Sequence, residues 1–218
     1  RFDNVTGVQT CALPISEASA QDPGVPLKED PWFALLDRLD EVPGTCELRE
    51  SGYRQVLTDM LARGLTGVVD MSWSEDPDDW PRRLEAMEAQ GVRPRVLPRI
   101  RVGVYRDKLE RWIARGLRTG VALAGSPLLP DGSPVLVQGP LKVIADGSMG
   151  SASAHMCEPY PAELGMEHTH GVANIDRAEL TDLMTRACRQ GYEMAIHAIG
   201  DAAVNDVAAA FEIGRAHV

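Results

Sequence analysis

Two side chains break the apolar runs that surround them: Lys142 in LKVIA and His197 in MAIHAI. A charged amine inside an apolar strand is costly unless it is paired or chemically altered. A buried lysine loses its proton readily, and the neutral amine can take up carbon dioxide to become a carbamate, an oxygen ligand able to bridge two metal ions. The competing reading keeps Lys142 as an ammonium paired with a carboxylate such as Asp146, or reaching to water at the strand end. His197 is the one polar side chain of its run, and imidazole is the commonest neutral ligand of zinc-like ions. Its competing reading is a core histidine satisfied by a hydrogen bond.

Polar residues just after apolar runs matter because parallel α/β folds place their sites at the carboxyl ends of strands. Asp70 ends TGVVDM, where an acid either faces substrate or serves as a cap or loop acceptor. Ser148 and His155, in DGSMGSASAH, are substrate-side candidates. Asp146 and Asp201 are candidates to support the site or shape its turns, and Asp201 also reads as a helix N-cap after Gly200. The Asp146–Ser151 turn offers an alternative, a non-catalytic barrel that holds an anion on backbone N–H groups with Lys142 as counter-charge. Without a Lys-Ser/Thr continuation it is a weak phosphate signal. His168 and His170 form an HxH in an irregular loop, which reads as a substrate-side loop rather than a metal site.

The elements that position these residues alternate between helical stripes and short apolar strands. Residues 49–62 place Tyr53, Val56, Leu57, Met60 and Leu61 on one helical face, with Gly64 as the stop. Residues 66–71 read as a buried strand and 79–90 as a helix with Pro81 near its first turn. Residues 95–104 form the next strand and 106–117 the next helix, stopped between Gly116 and Gly120. A strand over 135–145 is interrupted by Gly139 and Pro140. The helix over 176–189 buries Ile175, Leu180, Leu183, Met184 and Ala187, with Asp176 as cap and Gly191 as end. Residues 194–199 are the last strand and 201–211 the last helix. These are about four βα units, half of an eightfold barrel.

Composition narrows the class. A formal charge of -10 and a pI near 5.0 argue against nucleic acid or an anionic membrane as partner. No apolar run reaches the roughly 20 residues of a membrane span, and no basic stretch followed by an apolar segment stands at the N-terminus, so a soluble protein without its own targeting signal is the expectation. The four cysteines, Cys11, Cys46, Cys157 and Cys188, form no CxxC pair. Reduced thiols in a cytoplasm are the expectation, with no disulfide framework and no thiolate zinc site.

The ends, residues 1–16 and 213–218, read as artefactual tails. Ile213–Val218 written as ATC GGA AGA GCA CAC GTC has the complement GACGTGTGCTCTTCCGAT, which lies inside CAG ACG TGT GCT CTT CCG ATC, encoding Gln9–Ile15. One DNA element read in both directions, similar to a sequencing-library adapter, thus accounts for both tails. The natural segment is expected to be Glu17–Glu212, open at both ends.

Taken together, these residues resemble the amidohydrolase superfamily, specifically amidohydrolase family 3, which includes N-substituted formamide deformylases. Members carry K-x-x-x-D-G-S-x-x-S-x-(T/S)-A, a short gap and P-Y, a helix, and then H-A-I-G-D-x-A. Here these read Lys142, Asp146, Gly147, Ser148, Ser151, Ser153, Ala154, Pro159 and Tyr160, then His197, Ala198, Ile199, Gly200, Asp201 and Ala203. Upstream, GLTGVVD is similar to the family's G-(I/V)-T-x-V-x-D, with Gly67 where a small polar residue is usual. The resemblance implies an α/β fold, a partial (β/α)8 TIM barrel lacking its remaining units and a small β-sandwich. It implies one or two divalent ions, zinc by expectation, with Lys142 as the bridging ligand after carboxylation and His197 as the ligand of the next strand. The substrate implied is a small-molecule amide, formamide or cyclic amide. The family's first-strand H-x-H, second histidine and general-base aspartate are not in this chain, so the chain alone is expected to be inactive. Half a barrel also leaves an open sheet edge, which predicts poor solubility.

Overall fold

The apolar runs become four strands: β1 (Gly67–Asp70), β2 (Arg99–Tyr105), β3 (Leu136–Ile144) and β4 (Met194–His197). The computed structural model describes residues 35, 38–71, 76–91, 97–161 and 169–215. All neighbouring strands pair in parallel, in the order β1-β2-β3-β4. Helices α1 (Thr45–Ala62), α2 (Asp79–Ala89), α3 (Leu109–Ala114), α4 (Arg177–Arg189) and α5 (Asp201–Arg215) complete the pattern. Strand order equal to chain order means that every crossover steps in the same direction. A doubly wound sheet reverses; a (β/α)8 barrel does not. The chain therefore holds four βα units of a barrel, as the alternation of patterns leads one to expect.

The chain divides into two units, Arg1–Arg49 and Glu50–Val218. In the first, Arg38 pairs with Glu41 at 2.7 Å beside a 3-10 turn over Leu39–Glu41. The second holds the sheet and its cores. Val104, Leu141 and Val143 pack with Leu109 and Trp112 of α3 and Leu180, Leu183, Met184 and Ala187 of α4. Ile100, Val102 and Leu136 join Trp80, Leu84 and Met87 of α2. Each such buried side chain contributes roughly 2 kcal/mol by leaving water. One face of the sheet thus belongs to the helices.

Several elements differ from the sequence reading. The first strand is not buried: it pairs only with β2 among the described residues, and Val69 is 47% exposed. Helix α1 begins at Thr45, and Val56, expected on its buried stripe, is exposed while Leu57 is buried. Residues 92–96 lie outside the described residues, and β2 extends to Tyr105. The helix expected over 106–117 is a 3-10 turn (Arg106–Lys108) followed by α3 and ended near Gly116. Helix α5 runs on through Arg215, three residues into the segment read as a tail. Among the described residues no helix is long and apolar enough to cross a membrane, and Cys46, Cys157 and Cys188 are free thiols.

Helix α4 matches its reading closely. Asp176 is extended, and its carboxylate accepts from the Glu179 N–H at 2.8 Å, satisfying one donor that the first turn leaves over. Asp176→Ala is therefore expected to cost about 1 kcal/mol, read as a lower urea midpoint with an unchanged slope.

The interruption at Gly139–Pro140 is a bulge inside a continuous strand. Val102 pairs with Gln138 and Val104 with Leu141, so that two residues of β3 oppose Gly103 alone. Before the bulge Leu136 faces the helices; after it Leu141 and Val143 do. Unbroken alternation from Leu136 would have turned Lys142 toward the helices as well. The extra residue reverses the phase and sends Lys142 to the opposite face.

Candidate metal centre

Lys142 and Ile144 share the face of β3 away from the helix layer, and the register pairs Ile144 with His197. Met194 and Ile196 pack on the helix side of β4, which leaves Ala195 and His197 on the other side with Lys142. Strand spacing and rise put the Cα atoms of Lys142 and His197 roughly 8 Å apart. Two long side chains can meet across that gap. The structure thus places Lys142 and His197 on one face, near the carboxyl ends of neighbouring strands.

The reading that pairs Lys142 with Asp146 does not hold. Asp146 does not pair with it, and among the described residues Lys142 has no hydrogen-bond or ion-pair partner. It is partly buried, and the loss of water around the ammonium holds its pKa below the usual lysine range. His197 is oriented from behind. Its Nε2 lies 3.0 Å from the Gly147 carbonyl, which can only accept, so Nε2 carries the proton. The lone pair then resides on Nδ1, the nitrogen left to act as a ligand.

Asp146 is wholly buried, at 0% exposure. One carboxylate oxygen accepts from Ile199 N at 3.0 Å; the other accepts from His155 N at 2.9 Å and Gly200 N at 2.7 Å. The first oxygen also lies 3.8 Å from His197 Nε2. Asp201, at the start of α5, is exposed and accepts from Cys157 N at 2.7 Å and Ala202 N at 2.9 Å. These bonds hold its carboxyl below its ordinary pKa, the Cys157 N–H contributing most. Its main role is thus to tie the loop after β3 to the helix, rather than to cap the helix alone. His155 contributes through its backbone: its carbonyl accepts from Ala202 N and Ala203 N at 3.2 and 3.3 Å. A Cβ on Gly200 would overlap that carbonyl, so only glycine lets the turn approach so closely.

The other candidates are placed elsewhere. Asp70 points to the helix layer, accepting from Trp80 Nε1 of α2 at 2.5 Å. Ser148 joins a hydroxyl chain, 2.8 Å from Ser151, which is 2.5 Å from Ser153. The turn also uses its N–H groups internally: Gly147 to the Ser153 carbonyl, Ser148 to Ser153 Oγ, and Ser153 and Ala154 to the Ser148 carbonyl. That use occupies the Gly147 and Ser148 donors of the Asp146–Ser151 turn, two of those on which the anion-holding alternative depends. His168 lies outside the described residues; His170 is exposed and bonds the Met156 carbonyl through Nδ1 at 3.0 Å. The sequence reading missed Tyr105. It is the register partner of Lys142, and its hydroxyl donates to the Met71 carbonyl at 2.8 Å. Burial raises its pKa. An aromatic residue closing an apolar strand was the available signal.

The residues present fit a divalent cation in part. A histidine whose Nε2 is held by the Gly147 carbonyl and an unpaired lysine lie on one face. Among the described residues no three His, Cys, Asp or Glu side chains gather as a closed ligand set.

A singly wound parallel sheet of four strands with polar groups at the strand ends is part of a (β/α)8 barrel. Known proteins agree: the model of the amidohydrolase family matches residues 23–216, and the chain belongs to that family. It is 27% identical over 202 residues to YtcJ of Bacillus subtilis (strain 168), which carries the name amidohydrolase, covering 88% of this chain and 35% of YtcJ. The chain thus spans about a third of that relative's length. Its fold is similar to an uncharacterized metal-dependent hydrolase from Pyrococcus furiosus, with a TM-score of 0.65, 22% identity, and coverage of 87% of this chain and 36% of that one. A second such hydrolase, from Pyrococcus horikoshii OT3, aligns with a TM-score of 0.64, 24% identity, and 86% and 35% coverage.

Proposed function

We propose that the protein to which this chain contributes is a metal-dependent hydrolase of non-peptide C–N bonds in small amides, formamides or cyclic amides. One observation carries the reading: Lys142 and His197 occupy the same face at the carboxyl ends of adjacent strands, in a family of amidohydrolases. When bound, a divalent cation, zinc in this proposal, polarises the scissile carbonyl and lowers the pKa of a water. Lys142 and His197 hold that cation. The neutral Lys142 amine attacks carbon dioxide and sheds one proton, which gives an anionic oxygen donor in place of an ammonium. His197 keeps its Nε2 proton on the Gly147 carbonyl and presents Nδ1.

The proton acceptor is a different carboxylate. Asp146, Asp201 and Asp70 each spend an oxygen on N–H donors of their own surroundings. The reading therefore requires further residues from a longer protein, and the chain alone is not expected to turn over an amide. The test uses the chain extended to the length of its relatives. Elemental analysis is expected to find stoichiometric divalent metal, and N-substituted formamides or cyclic imides are expected to be hydrolysed in a chelator-sensitive way. Full activity in a metal-free preparation would overturn the proposal.

A further inference from the structure

We infer that Asp146 is a positioning residue that sets both the orientation and the tautomer of His197. The inference rests on the metal-site reading above and assigns the residue on which that site's geometry depends. Asp146 sits two residues past β3, with no exposure to solvent, so direct contact with substrate is closed to it. Its three N–H bonds reach two separate segments: His155 in the loop after β3, and Ile199 and Gly200 in the turn after β4. The Ile199 and Gly200 bonds begin two residues after His197, so they fix the backbone that aims the imidazole. The adjoining residue, Gly147, supplies the carbonyl that holds the His197 Nε2 proton. The carboxylate, 3.8 Å from the same Nε2, favours a proton on that nitrogen over Nδ1. One buried side chain therefore aligns the turn and favours the Nε2-protonated tautomer of His197.

Bonds from outside reinforce the arrangement. Asp201 holds Cys157 N, and the His155 carbonyl holds Ala202 N and Ala203 N, so the loop and the start of α5 are fastened in both directions. Asp146 lies at the centre of this lattice. An amide in its place offers one acceptor oxygen where the carboxylate offers two, and turns N–H donors toward backbone N–H groups.

The test is Asp146→Asn in the extended chain, with the imidazoles labelled with nitrogen-15 and zinc ion as the probe. In the metal-free wild type, His197 is expected as the single Nε2-protonated tautomer. In the Asn variant a mixed tautomer signal is expected, with zinc binding weakened about 10- to 100-fold, the scale of lost ligand support. In a His197→Ala background the same substitution is expected to change zinc affinity less than about twofold, because its effect passes through the histidine. An unchanged tautomer with affinity within about twofold of wild type overturns the inference; so does an equal loss in both backgrounds. Should Asp146→Asn not fold, Asp146→Glu, which retains the charge but displaces the oxygens, is held to the same criteria. The tautomer is read without metal, so absence of metal from the wild type would refute the hydrolase proposal while leaving Asp146 judged on its own.

Discussion

Lys142→Met is expected to make the metal-free extended protein more stable while abolishing its metal binding, two effects of opposite benefit from one substitution. Lys142 is held in a partly buried position with no described partner, and burial lowers its pKa from 10.5. A group whose charged form is disfavoured by folding costs stability wherever that form prevails. The sign follows from proton counts. Between the lowered folded pKa and 10.5 the unfolded chain binds more protons than the folded one, so wild-type stability rises with pH through that window. Below the folded pKa the penalty is fully present. Methionine fills a similar volume without charge, so the variant should melt higher at neutral pH and lose this pH dependence. Metal content should fall to background, and any hydrolysis should drop by more than the roughly 10- to 100-fold attached to supporting residues. Thermal melts of the metal-free proteins at several pH values, paired with elemental analysis after incubation with zinc, measure both sides. Retained metal, or a variant less stable across the whole range, would contradict this account of Lys142.

The second large effect concerns the bulge. A Cβ on Gly139 would lie 2.9 Å from the Val102 carbonyl carbon and 3.0 Å from Gly103 N, both backbone atoms that cannot turn aside. Gly139→Val is therefore expected to lower stability by roughly 2–3 kcal/mol, at the upper end of overpacking penalties. Deleting Pro140 is expected to be milder. It removes the supernumerary residue and a position without an N–H, leaving Gly139 opposite Gly103 in plain alternation, with Leu141 toward the helices and Lys142 away from them. The contrast is unusual, since a deletion inside a central strand normally slips its register. Denaturant midpoints for both variants, with zinc binding by the extended chain, decide the matter. Loss of zinc binding from the Pro140 deletion alongside a well-folded Gly139→Val protein would refute the bulge as the device that sets the phase.

Much of this could be read from the amino acids. The helix of residues 177–189, its Asp176 cap and its buried stripe follow from periodicity and capping chemistry, both local properties. The strands around Lys142 and His197 stand out because a charge and an imidazole interrupt apolar runs. Their membership of one family comes from two spaced motifs, and the family model covers the same region. Val56, by contrast, lies on a predicted buried stripe yet is exposed, because periodicity names a face without saying what covers it.

The facing of Lys142 was beyond the sequence by itself. Alternation counted from Leu136 puts it among the helices, and only pairing with β2 shows that two residues oppose Gly103 and reverse the count. Asp70 and Asp146 are equivalent on paper, each an acid after an apolar run. Packing sends Asp70 to Trp80 and surrounds Asp146 with three backbone N–H groups, two of them from 53 and 54 residues away. Composition and local pattern determined which residues were chemically out of place, because propensity and hydrophobicity act over a few neighbours. Which of them meet was decided by strand register and loop closure, because those contacts join residues that the chain itself keeps far apart.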